Sequence, residues 1–163
     1  MNAPFALTRS TVRLVDLADP GEIDRLEGFV ARHPEGTPYH RPAWFVSVAR
    51  ATGNEAQALV QERGGDIVAF LPVDVIHSPI FGRVVASTGF AIGGGLLVTE
   101  GADAHAMFAA VEELARRQSC PSIELRGGTL PTEGEGWALK TESHAYFARP
   151  LAADDDEQLK AIP

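Results

Sequence analysis

The sequence has a single cysteine, Cys120, among 163 residues. No internal disulfide is possible, and no zinc site can be assembled from thiolates. Cys120 lies between Ser119 and Pro121 with no cation nearby beyond Arg116 and Arg117, so it reads as a packing residue rather than a nucleophile. Basic residues are scarce as well: 14 Lys and Arg stand against 22 Asp and Glu, a formal net charge of −8. Such a surface repels phosphate backbones, so duplex nucleic acid is not an expected partner. No apolar run reaches the roughly 18 residues that mark a membrane span. Met1 to Arg13 lacks a basic region followed by an apolar core, so it does not read as a signal peptide. These absences predict a reducing, cytoplasmic location and no membrane span. His33, His77, His105 and His144 are not paired at i, i+4 with acids or with one another, so no metal is expected. No Ser-His-Asp order, internal repeat or low-complexity segment is legible. The length predicts one domain spanning 1–163.

What is present is concentrated in one stretch, Ile67 to Val98, whose only charges are Asp74, His77 and Arg83. A β-rich run from Ile67 to Ile76 turns at Ser78-Pro79 and Phe81-Gly82 and resumes as a strand over Val84 to Ser87. A loop follows, Thr88 to Gly95, built on four glycines. Two buried strands feeding a glycine-rich loop are the expected place for a ligand.

The rest packs around them. Thr11 to Leu17 alternates as a first strand. Asp19-Pro20-Gly21-Glu22 opens a helix, with Asp19 as cap and Pro20 in its first turn, which ends at His33-Pro34. Pro42 opens a second helix with Trp44, Phe45, Val48, Ala49 and Thr52 on a broad apolar face, ending at Gly53. Ala58 to Glu62 is a strand, and Arg63-Gly64-Gly65-Asp66 a hairpin turn. Pro72 cannot donate a ladder hydrogen bond, so it predicts an edge or a bulge inside the central strand. Leu96 to Val98 is a short apolar segment, Asp103 to Arg117 a third helix and Ser122 to Arg126 a strand. Lys140 to Ala148 is expected as a last strand, and Asp154 caps a final short helix. Hairpins combined with one crossover helix predict an α/β (α+β) fold with a mixed sheet and helices on its faces.

Four segments resemble one family. Tyr39-His40-Arg41-Pro42-Ala43-Trp44 resembles the F-F-H-R-x-G-W segment of FemAB-related proteins, and Ser87 to Gly95 resembles their S-T-P-F-x-x-Y-G-G-P. Ile123-Glu124-Leu125-Arg126 is similar to their L-E-L-R strand, and Phe147-Ala148-Arg149-Pro150-Leu151 to F-x-R-P-L. The branch resembled is the one associated with PEP-CTERM and exosortase systems. The resemblance implies a GNAT-like fold with a largely antiparallel sheet, and a place as the N-terminal half of a two-domain Fem-type protein. It implies N-acyl transfer, of an aminoacyl or peptidyl group, to an amine of a peptidoglycan or exopolysaccharide precursor. The implied partners are that envelope-precursor or other small amine acceptor and a second GNAT-like domain, either separate or the chain's own C-terminal half. Three departures stand out: Gly93 replaces a tyrosine, removing a hydroxyl, and Gly89 and Leu96 replace prolines, loosening the loop. The R/Q-x-x-G-x-G/A signature by which GNAT enzymes hold coenzyme A is absent, so no cofactor is expected. Half of such a transferase, inactive alone, is one reading; a non-catalytic GNAT-like binding or interaction module is the other.

The candidate substrate-binding residues are Tyr39, His40, Arg41, Trp44, Thr88, Phe90, Gly93, Gly94 and Gly95, and no catalytic residue is assigned. Gly93 to Gly95 either admit a ligand backbone or phosphate, or form a close-packed turn. The glycines lack a following Lys-Ser/Thr, so they are not a P-loop. His40 and Arg41 either hold an anion beside a helix N-terminus or, for His40, cap the turn. Trp44 is core or platform. Glu124 and Arg126 share one strand face and are either a polar wall or a solvated face. Tyr39–Trp44 and Thr88–Gly95 are expected to line one cleft.

Overall fold

The computed structural model describes residues 11–80, 82–134, 136–141, 147 and 150–161. They fall into two compact units, 1–131 and 132–163.

In the first unit the elements run β1 (Thr11–Leu14), α1 (Pro20–Arg32), a 3-10 turn (Pro38–His40), α2 (Pro42–Thr52), β2 (Glu55–Arg63) and β3 (Asp66–Ser78). They continue with β4 (Gly82–Ala86), β5 (Leu97–Val98), α3 (Ala104–Arg117) and β6 (Ser122–Glu124). The sheet order is β1-β2-β3-β4-β6, with β5 added on β3. All pairs are antiparallel except β4 with β6, which α3 joins by a crossover. This is a mixed, largely antiparallel sheet flanked by helices.

Local chemistry sets the element ends. Asp19 Oδ1 accepts from Gly21 N–H at 2.8 Å, capping α1, and Asp103 Oδ1 accepts from Ala106 N–H at 3.1 Å, capping α3. The β2–β3 turn takes positive φ at both Gly64 (63°) and Gly65 (90°), the twist that a tight hairpin requires. β1 stops at Leu14, short of the expected Leu17, because Asp16 closes a turn: its carboxylate accepts from Ala18 N–H at 2.9 Å and its carbonyl from Asp19 N–H at 3.1 Å. β6 stops at Glu124 rather than Arg126, because Arg126 N–H leaves the ladder for Ser87 Oγ at 2.8 Å. Lys140 and Thr141 are not in a strand; of the expected strand Lys140 to Ala148, residues 142–146 and 148 lie outside the described residues.

Helices cover both faces of the sheet. Leu26, Phe29 and Val30 of α1 and Phe45 of α2 pack with Ala58, Val60, Phe70 and Leu97 on one face. On the other face, α3 buries Met107, Phe108, Val111, Leu114 and Ala115. With both faces covered, β3 is buried continuously from Ala69 to Val75. Each fully buried Phe or Leu here contributes about 2–3 kcal/mol.

Pro72 sits inside this central strand for a specific reason. Val15 N–H donates to Ala58 O at 2.9 Å, so the backbone of Ala58 faces β1, away from β3. Its partner Pro72 therefore turns its nitrogen away from β2 as well. On that side β4 pairs with residues 74–78 of β3 and β5 with residues 69–70, so Pro72 falls between them. The chain leaves the sheet at this gap, and residues 87–96 form the excursion.

In the second unit, Gly134 and Trp137 exchange backbone hydrogen bonds of 3.0 and 2.8 Å. The helix α4 (Asp155–Lys160) is capped by Asp154, whose Oδ1 accepts from Glu157 N–H at 2.9 Å.

Candidate functional site

The turn before α2 and the glycine loop meet through side-chain-to-backbone hydrogen bonds. Thr37 begins the 3-10 turn and its Oγ1 accepts from Tyr39 N–H at 3.2 Å. The same hydroxyl lies 3.0 Å from Gly93 O and 2.8 Å from His40 Nδ1, and its one proton is shared between these two acceptors. His40 lies 2.9 Å from Gly95 O through Nε2. A carbonyl only accepts, so Nε2 carries the proton, and Nδ1 of the neutral ring accepts from Thr37 N–H at 3.2 Å. His40 is 1% exposed. Burial holds its imidazole below the ordinary value, outweighing the bond to Gly95 that favours the charged form. Thr37 and His40 thus form a latch, and the carbonyls of Gly93 and Gly95 are what it grips.

The loop is packed backbone against backbone. A Cβ on Gly95 would lie 1.7 Å from Gly127 O, and one on Gly94 would lie 1.9 Å from Thr88 Oγ1. Thr129 N–H donates to Leu96 O at 2.8 Å, closing the far side. Gly94 and Gly95 are buried, and their open side is filled by the chain itself. Arg126 adds Nη1–H to Ala91 O at 3.4 Å and pairs with Glu124 at 3.0 Å.

Beneath the loop lies Asp74 of β3, 1% exposed. Its Oδ2 accepts from Gly89 N–H at 2.5 Å. Oδ1 has no hydrogen-bond partner among the described residues, and neither does the buried Thr88 Oγ1 or Trp44 Nε1. Burial raises the Asp74 carboxyl above its ordinary value, against the opposing pull of the Gly89 amide.

The nine candidate residues therefore separate by depth. His40, Thr88, Gly94 and Gly95 are buried, and Tyr39, Trp44 and Gly93 are half-buried. Arg41 and Phe90 are exposed, Phe90 at 74%. Arg41 is held at 2.7 Å by Glu27 of α1. Tyr39 meets Trp44 edge-on, with ring centroids 5.1 Å apart, while Trp44 packs against the core under α1 and α2. Contributors absent from the sequence-derived set include Thr37, Asp74, Gly127 and Gly128, where a Cβ would lie 2.5 Å from Leu96 O. Asp74 carries a legible signal, as the sole acid in an otherwise apolar strand run. Thr37 does not, because its capping partner at the third position is a histidine rather than the usual Glu or Gln.

Among the described residues, no cluster of three or more His, Cys, Asp or Glu side chains is placed to hold a metal. No described helix is long and apolar enough to cross a membrane.

No family model matches the sequence, and no curated protein matches it. Solved structures do share its fold. A ribosomal-protein-alanine N-acetyltransferase from Brucella melitensis biovar Abortus 2308 superposes with a TM-score of 0.54 at 18% identity, covering 86% of this chain and 99% of that one. A GNAT family acetyltransferase from Staphylococcus aureus gives 0.51 at 12% identity, covering 87% and 98%. AAC(6')-Iy in complex with the bisubstrate analog CoA-S-monomethyl-acetylneamine gives 0.52 at 13% identity, covering 87% and 99%. The fold of this chain is GNAT-like.

Proposed function

We propose that this chain is the acceptor-binding half of a Fem-type N-acyltransferase, shaping the site of an amine-bearing envelope or exopolysaccharide precursor. The observation that carries the reading is the latch: Thr37 and His40 hold Gly93 and Gly95, 3.0 and 2.9 Å away, and so join the two segments that resemble the family. Arg41 and Phe90 are exposed and Tyr39 and Gly93 half-buried, so an acceptor has polar and apolar groups to meet there. The GNAT-like sheet and acetyltransferase neighbours support the acyl-transfer class.

Transfer to an amine needs a base, an oxyanion stabiliser and positioning. The two candidate residues that carry an imidazole or a guanidinium are both occupied within the fold. Both nitrogens of His40 are engaged within the fold, and Arg41 is paired with Glu27. The chain alone is accordingly a binder without turnover, with donor and base coming from a second GNAT-like domain. The same engagement of His40 favours a second reading, a non-catalytic GNAT-like module. Titrating the 15N-labelled chain with an amine-bearing peptidoglycan-precursor peptide tests the first. Saturable shifts at Tyr39, Phe90 and Gly93 that Arg41→Ala weakens are the expected result; unmoved amides at all three overturn it.

A further inference from the structure

A cleft of about 380 Å3 lies between the end of α1 and the strands β3 and β5. Phe29, Ile67 and Val98 supply its apolar wall, His33 its back, and Arg32 and Glu100 its charge. Its volume lies in the range of small-molecule sites, and its composition is theirs too: an apolar body with a few polar groups.

The walls are fixed by bonds that do not involve the charged pair. The backbone N–H of His33 caps α1 by donating to Phe29 O at 3.1 Å, and its Nε2–H donates to Val98 O at 2.9 Å. Its Nδ1 accepts from Glu35 N–H at 3.2 Å, so the ring is fully used in tying α1 to β5. Thr99 N–H and Oγ1–H both donate to Val68 O, at 2.9 and 3.0 Å. Phe29 meets Phe70 edge-on, with ring centroids 6.4 Å apart.

Arg32 and Glu100 behave differently. Both are exposed and line the same cleft, yet no salt bridge joins them to each other or to another described residue. The guanidinium lies over Gly28, 3.2 Å from where a Cβ would stand. Opposite charges that share a cleft without pairing present one donor set for a carboxylate and one acceptor set for an ammonium.

We infer that this cleft binds a small zwitterion with an apolar body, of the chemical class of a free apolar α-amino acid. Arg32 takes the carboxylate, Glu100 the ammonium, and Phe29, Ile67 and Val98 the side chain. The cleft shares no lining residue with the latch, so amino-acid binding here and acceptor binding there are read by different amides and can succeed or fail separately.

The test is titration of the 163-residue chain with L-phenylalanine, 3-phenylpropionate and phenethylamine, read by amide shifts at Ile67, Val98 and Thr99. L-phenylalanine is expected to saturate those shifts, while each singly charged analogue binds about tenfold or more weakly. Arg32→Gln and Glu100→Gln both lie on the surface and leave the fold intact. Each is expected to reduce affinity for L-phenylalanine to that of the analogue lacking the matching charge. Absence of saturation overturns the inference. So do equal affinities for the three probes, or binding that neither variant alters.

Discussion

The two segments that make the candidate site are built on opposite principles. The turn at Thr37–Arg41 acts through side chains: a hydroxyl and an imidazole reach out and grip. The loop at Thr88–Gly95 acts through backbone: it offers carbonyls to the latch and bare Cα atoms to its neighbours. A side-chain grip can be trimmed atom by atom, and each loss costs one or two hydrogen bonds. A backbone contact has no such gradation, because any added atom displaces the chain. The loop should therefore be much less tolerant of substitution than the turn, although it contains fewer recognisable chemical groups.

The largest effect is expected at Gly95. Alanine there places a Cβ 1.7 Å from Gly127 O, a backbone atom that cannot rotate away. Chemical denaturation of Gly95→Ala should show a loss of about 4 kcal/mol or failure to fold. Gly93→Ala is the matched control, since nothing lies within 4 Å of its Cβ and only its φ of 91° opposes the change. It should cost about 1–2 kcal/mol. Equal losses at the two positions would break the distinction between close approach and backbone angle.

His40→Ala should cost about 2 kcal/mol, by leaving the buried Gly95 carbonyl without its donor. It should also change the pH profile. Burial depresses the His40 pKa in the folded state, so the unfolded chain takes up a proton first as pH falls. The contribution is fully present above the ordinary value of 6.5 and is lost as pH falls through the lowered one. Urea melts across this window should show that slope in the native chain and its absence in His40→Ala.

Asp74 should give a smaller effect of opposite sign. Its pKa is raised, so the folded chain holds the proton more tightly than the unfolded chain. Its contribution is present below the ordinary carboxyl value of 3.8 and is lost as pH rises through the raised value. Asp74→Asn keeps an oxygen for the Gly89 amide and removes the titration. The variant should therefore lack the fall in stability with rising pH seen in the native chain. Phe90→Ala marks the lower limit: a ring that is 74% exposed should change stability by no more than about 0.5 kcal/mol.

Much of the fold was legible because its signals are local. Asp19 and Asp103 cap the helices read from them, and Gly64-Gly65 makes the hairpin read from it. Pro72 reads as an edge or a bulge, and the edge reading holds locally: it lies in the gap between β4 and β5, while the register shift of that ladder falls at Gln61/Glu62. What was not legible depends on contacts distant in sequence. Nothing near Gly127 and Gly128 in the sequence shows that residues 93–96 will pack on their backbone. The depth of His40 was equally hidden: a histidine before a helix looks like a surface group until Gly95 O, 55 positions on, occupies its Nε2. β1 was overextended because alternation alone cannot see the turn that Asp16 makes.

The account of this chain as a binding half rests on a latch that spends both nitrogens of His40 within the fold, and a transfer assay tests that most directly. Purified 1–163 is incubated with an amine-bearing precursor peptide and either acetyl-coenzyme A or charged tRNA, and product is measured by mass spectrometry. The expected result is product no faster than in a reaction without protein, under conditions where the peptide binds. Product formed catalytically with either donor, and lost in Arg41→Ala, would contradict the account and make this chain an enzyme by itself.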